Sequence, residues 1–192
     1  MPKIRGRIFP SIPRPALRTI RHRGFTTARI AIRRTSTAHG LANTCRYSGQ
    51  CKRHYSVATH SVIVSLFVPD HLQFEALLHD ATEAFMADIP TPLKQLLRDY
   101  QTMEHRMETA IRAHFGLPAE MSPEVKRADH IALAIEKPIL MGKSAIHWVL
   151  PDIDPVEARV IISKSLINCA TIESSKRLFL DTFNELKEKQ NV

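Results

Sequence analysis

From residue 36 onward the chain is cut into helix-length pieces by residues that start or stop helices, and this punctuation limits the fold more than composition does. Ser56 can cap a helix over 57–67, closed by Pro69, and Asp70 can cap one over 71–87, stopped before Pro90. Thr91-Pro92 starts a short helix through Leu97, because proline suits the first helical position. Gly116 ends a helix over 99–115, and Ser122-Pro123 opens one reaching Met141. Segments 37–46, 155–167 and 172–188 complete the pattern. With only 6 glycines and few alternating Val/Ile/Thr stretches, long sheets are not expected. The expected fold is all-α: one bundle of about six to eight helices over residues 36–192.

Charge separates the remainder from this bundle. Residues 1–69 carry thirteen Lys and Arg and no Asp or Glu, whereas the rest carries 14 basic and 19 acidic residues. Residues 1–35 also contain Pro2, Pro10, Pro13 and Pro15 and show no sustained helical stripe, so they read as a poorly ordered basic extension. Three readings of it stay open: an inert tail, a nucleic-acid contact, or an organelle-targeting segment. The longest apolar run, Val62–Val68, is interrupted by Ser65 and too short to span a bilayer, so no membrane is expected. Cys45, Cys51 and Cys169 lack metal or redox spacing and read as reduced thiols of a cytoplasmic protein.

Within the expected helices, His60, the doublet His79-Asp80, and Asp129 stand out. Two imidazoles and two carboxylates form a mixed nitrogen and oxygen shell suited to a divalent cation that activates water. Singly, His60 reads as a core histidine, Asp129 as a salt-bridged surface residue and Glu83 as a solvated one. The joint pattern is harder to explain without a metal. On a continuous helix, Glu83 falls about 40° from His79 and about 60° from Asp80, between the two. His60 and Asp129 lie among apolar neighbours, where a carboxylate is costly to bury unless a positive charge neutralises it.

These residues resemble the HD-domain superfamily of metal-dependent phosphohydrolases. The stretches Tyr55–Ser61, Ala76–Ala84 and Asp88–Lys94 are similar to its 5′-deoxynucleotidase branch and to related phage proteins, including dATP triphosphohydrolases. The resemblance implies that His60, His79, Asp80 and Asp129 bind the metal, which could be Mn, Co, Mg, Zn or Fe. It implies that Glu83 orients or deprotonates the attacking water, with Asp88 as its partner or as proton donor. It implies further that Arg46 and Tyr47 face the nucleotide phosphate and sugar, and that Lys94 faces the phosphate. Tyr47 stands where the branch has Trp, and the basic extension replaces a moderately acidic segment.

The expected function is hydrolysis of deoxynucleoside 5′-phosphates, as a monophosphatase or as a triphosphohydrolase. The competing expectation is a nucleic-acid-binding protein that keeps a vestigial HD fold, with the acid-free first third supplying phosphate contacts. A homo-oligomer is left open.

Overall fold

A computed structural model describes residues 17–19, 29–141 and 171–190, with side chains from Ile32 onward. The chain divides into two units, Met1–Ile32 and Arg33–Val192. In the first, β1 (Leu17–Thr19) pairs antiparallel with β2 (Arg29–Ala31), placing Leu17 opposite Ala31. The sequence reading has no strand here. The remainder of the extension, the expected helix over 155–167 and Cys169 lie outside the described residues.

The second unit is all-helical, with eight α-helices among the described residues. They are α1 (Arg34–Asn43), α2 (Val57–Ser65), α3 (Gln73–Leu77), α4 (Glu83–Met86), α5 (Thr91–Lys94), α6 (Arg98–Phe115), α7 (Pro123–Met141) and α8 (Ile172–Lys189). The helical unit begins at Arg33, three residues before residue 36, where the bundle was expected to start, and α1 already occupies Arg34 and Thr35. No described helix is long and apolar enough to cross a membrane.

Helix α2 is buried along its whole length, as expected of a helix apolar on most of its circumference. Helices α1, α3, α7 and α8 surround it. Ile63 and Val64 join Tyr55, Ala76, Val125, Ala128, Ala132 and Leu140 in one core cluster. Ser56 caps α2 as expected, its hydroxyl accepting from the Thr59 amide at 3.3 Å. On the other side, the buried Thr59 hydroxyl donates to Ser175 of α8 at 3.1 Å, tying α2 to α8. Phe183 of α8 stacks edge-on against Phe74 and Phe115, with ring centroids 5.2 and 5.7 Å away.

Two close approaches fix the helices that frame the site. Gly40 in α1 has no room for a side chain, because a Cβ there would sit 2.8 Å from Ala84 Cα in α4. Between α1 and α2 the chain makes a loop whose ends are pinned. Arg46 N–H donates to Tyr55 O at 3.0 Å, and Lys52 N–H donates to Leu140 O of α7 at 3.1 Å.

The expected helix over 71–87 is corrected. A 3-10 turn over Asp70–Leu72 leads into α3, which stops at Leu77, and α4 starts only at Glu83. In between, amides reach back three residues rather than four: Leu78 to Glu75, Ala81 to Leu78, and Glu83 to Asp80. Such bonds wind the chain more tightly than an α-helix. His79, Asp80 and Glu83 therefore do not share one helix face; successive tight turns aim them instead.

Candidate metal centre

Helix α2 supplies His60, which is fully buried. The turn after α3 supplies His79 and Asp80, and α7 supplies Asp129. One donor atom each from His60, His79 and Asp129 lie within 4.8 Å of one another, so these three can hold a metal ion. His60 Nε2 stands 3.0 Å from Asp129 Oδ1. Asp80 Oδ2 lies 3.1 Å from His79 Nε2 and 3.7 Å from His60 Nε2, which brings the fourth expected ligand to the same point. Among the described residues no other group of His, Cys, Asp or Glu converges in this way.

Hydrogen bonds on the far side of each imidazole test whether the donors suit a cation. His79 Nδ1 is 2.8 Å from the carbonyl oxygen of Ala76, which can only accept, so Nδ1 carries the hydrogen. In the neutral ring Nε2 then presents a lone pair, and that buried atom has no hydrogen-bond partner. His60 Nδ1 is 2.8 Å from Glu136 Oε1, which fixes its hydrogen in the same way and turns Nε2 toward Asp129. Both rings thus offer Nε2 to one point, the arrangement metal-bound histidines need. The donor set fits a divalent cation.

Glu136 was not foreseen. Its carboxylate is fully buried on α7 and accepts from His60, from the Tyr55 hydroxyl, and from the Tyr47 hydroxyl at 3.3 Å. It stands seven residues after Asp129, two helical turns on, so both carboxylates lie on one face of α7. That spacing was the available signal. Burial works against its ionisation, but His60, Arg46 and the Tyr55 hydroxyl hold it below the usual carboxylate range. Burial and Arg46 push His60 down, yet Glu136 and Asp129 outweigh them and raise it to about 9. Asp80 and Asp129 are likewise held low despite burial, chiefly by the two histidines.

Glu83 behaves differently. It is buried at the start of α4, and its Oε2 has no hydrogen-bond partner. Burial and the charges of Asp80 and Asp88 push its carboxyl well above the ordinary range, against the pull of Arg46 and Lys94. Asp88 is also raised, first by burial and then by Asp80. A buried carboxyl raised in this way binds a proton more tightly than a free one.

The expected substrate residues separate. Arg46 is buried, with NH1 3.5 Å from Asp80 Oδ2 and its guanidinium 5.6 Å from the centre of the Tyr47 ring. Tyr47 is half-buried, packed against the core cluster, with its hydroxyl spent on Glu136. Tyr47 and Ser48 both adopt left-handed backbone, φ 55° and 52°, in the tight turn over Arg46–Gly49. Lys94 pairs with Glu104 of α6 at 2.7 Å, and the Tyr100 ring lies 6.0 Å from its ammonium.

Between Glu83 and Asp88, Ala87 has φ 65° and ψ 162°, a region used almost only by glycine. The Tyr100 hydroxyl lies 3.2 Å from Ala87 O and 3.3 Å from Met86 O, holding this strained turn from α6. Ala87→Gly relieves the strain and is expected to raise unfolding free energy by about 1 kcal/mol in urea titration. An unchanged or lower midpoint would mean the turn carries no strain.

Comparison with known proteins decides the family. Over 152 residues the chain is 42% identical to the uncharacterized protein YfdR of Escherichia coli K12, spanning 79% of this chain and 82% of the relative. The chain belongs to the YfdR family. An uncharacterized protein of Rhodobacter capsulatus is 36% identical over 121 residues, 56% of this chain and 62% of its own length. No family model matches the sequence. A YfdR-type chain of this kind therefore carries a convergent His60, His79 and Asp129 centre, backed by Glu136, inside an all-helical unit.

Proposed function

We propose that the chain is a metal-dependent phosphohydrolase of the HD type, acting on deoxynucleoside 5′-phosphates. The observation that carries this reading is the convergence of His60 and His79 Nε2 with Asp129, each imidazole locked from behind by an acceptor. In this proposal His60, His79, Asp80 and Asp129 hold the cation. When bound, a divalent cation lowers the pKa of water and neutralises charge on a phosphate oxygen.

The chain's own residues do the rest. Glu83 accepts the proton of the attacking water. Asp88 stands by as its partner or as donor to the leaving oxygen. Arg46 offers a planar fork of N–H groups to phosphate oxygens, a geometry that matches them better than a point charge. Lys94, paired with Glu104 at 2.7 Å, supplies a second positive charge. The Tyr47 ring, beside Arg46, is the proposed neighbour of the sugar. A ribonucleotide would bury its 2′-hydroxyl there without a partner, costing about 1–3 kcal/mol.

The test is an end-point screen of nucleotides with Mn²⁺, Co²⁺ or Mg²⁺, with matched ribo and deoxy pairs. It distinguishes phosphate from tripolyphosphate as product. Metal-dependent release of either, with deoxynucleotides preferred, supports the reading. Absence of turnover with every metal and nucleotide sinks it. Salt-sensitive nucleic-acid binding without hydrolysis would favour a binding protein, the alternative suggested by the acid-free first 69 residues.

Asp80→Ala removes a carboxylate from beside both imidazoles and is expected to abolish copurifying metal and turnover together. Elemental analysis alongside the assay checks this. A full equivalent of metal with normal turnover would exclude Asp80 from the centre.

A further inference from the structure

We propose that a pocket beside Arg46, walled by Cys45, His54 and Tyr55 and rimmed by exposed Gly49 and Arg53, binds a phosphate group. Its role as part of a substrate or effector site rests on the phosphohydrolase reading; the binding itself does not.

Three observations point to an oxyanion. First, the loop is basic throughout, with Arg46, Lys52, Arg53 and His54 in close succession and no acidic residue before Asp70. Second, two buried nitrogens that belong to lining residues, Arg46 Nε and His54 Nε2, have no hydrogen-bond partner among the described residues. Arg46 Nε always carries hydrogen, and its guanidinium has committed NH1 to Asp80. Third, Cys45 Sγ lies 3.6 Å from His54 Nδ1. With the thiol donating to Nδ1, the proton of the neutral ring sits on Nε2, and a protonated ring donates there as well. Two residues of the lining therefore carry a nitrogen without a hydrogen-bond partner among the described residues: Arg46 Nε–H and, with the thiol donating, His54 Nε2–H. Buried donors are costly to leave unpaired, and charge-assisted bonds to a phosphate satisfy them.

A metal is the wrong occupant. Arg46 and Arg53 repel a cation, and Cys45, Cys51 and His54 do not converge as a ligand set. The frame is also fixed, since Arg46 N–H is bound to Tyr55 O and Lys52 N–H to Leu140 O. Most importantly, one guanidinium serves both places: Arg46 lines this pocket while NH1 faces Asp80 at the metal centre. A phosphate held here is a near neighbour of a phosphorus at that centre. Its source is either the next phosphate of the same nucleotide or a free inorganic phosphate.

The test is a calorimetric titration of the full-length chain in metal-free buffer with inorganic pyrophosphate. One saturable site is expected, weakened at least tenfold by Arg53→Glu, largely restored in Arg53→Lys, and unchanged in Lys189→Glu, a charge reversal on an exposed residue of α8. Equal titrations in the unmodified chain and Arg53→Glu overturn the proposal. Arg53 is exposed, so its substitution does not threaten the fold; His54→Gln gives a second reading from inside the pocket. Steady-state kinetics then separates the sources. A fall in kcat/KM for deoxynucleoside triphosphate relative to monophosphate in Arg53→Glu assigns the site to the substrate's own chain. An unchanged ratio, with phosphate altering monophosphate turnover only in the unmodified protein, assigns it to free phosphate. Pyrophosphate binding by a chain that hydrolyses nothing would retain the pocket and discard the phosphohydrolase reading, and hydrolysis without such binding would do the reverse.

Discussion

Glu83→Gln is expected to keep its fold and its metal and to lose about two to four orders of magnitude in turnover. The side chain is buried, and its Oε2 makes no hydrogen bond, so the amide replaces it without breaking a structural contact. What it removes is the ability to take a proton. Burial first, and then repulsion from Asp80 and Asp88, raises the Glu83 carboxyl, so a permanently neutral amide avoids both costs. Thermal stability of the variant is therefore expected to equal or exceed that of the unmodified chain. Measuring kcat, metal content and Tm on one preparation checks all three. Loss of metal would make Glu83 a ligand, and normal turnover would end its role as base.

Arg112→Ala is expected to destabilise the chain by about 3–5 kcal/mol, the scale of removing one partner from a buried ion pair. Arg112 on α6 donates to Glu75 at 2.6 Å, to Pro118 O at 2.5 Å and to Glu120 O at 2.7 Å. Glu75 also accepts from the amide and hydroxyl of Ser122, so this cluster ties α3 and α6 to the start of α7. Burial raises the Glu75 carboxyl, but Ser122 and Arg112 together hold it below its ordinary value. A depressed carboxyl contributes stability above its unfolded pKa and loses it as pH falls through the folded one. The unmodified chain should thus lose stability below about pH 4 through this group. Urea titrations at pH 7 and in that acidic window should show a smaller pH dependence in Arg112→Ala. An equal dependence would mean that Glu75 is held low by Ser122 alone.

The helices with strong end signals were legible in the sequence. Ser56, Gly116 and Ser122-Pro123 mark real boundaries, because a start or stop residue acts within one turn; the helix from Ile172, read without an end signal, is capped by Thr171. The break between Leu77 and Glu83 was not legible. No Gly or Pro marks it, and the turns tighten within the packed surroundings of His79 and Asp80. Ala87 and Tyr47 hide their positive φ for a related reason, since neither residue type announces left-handed backbone. The convergence of His60, His79 and Asp129 was readable because few other roles explain the set together. Glu136 was missed because a glutamate between Ile135 and Lys137 resembles a solvated helix residue. Its seven-residue spacing from Asp129 was the one hint in the sequence, and proximity to His60, Tyr47 and Tyr55 gives that hint its meaning.

His60 and Asp129 meet across 69 residues of chain. Closing a span of that length costs chain entropy that contacts within a helix do not. A cation held by both His60 and Asp129 requires α7 to be docked on α2. A bound metal would act as a latch on that docking, prolonging the folded state's lifetime more than it speeds folding. At a free metal concentration about a hundredfold above Kd, the latch is worth about 2.7 kcal/mol. A jump into chelator should therefore quicken unfolding while leaving refolding nearly unchanged, with metal retention timed by how long α2 and α7 stay together.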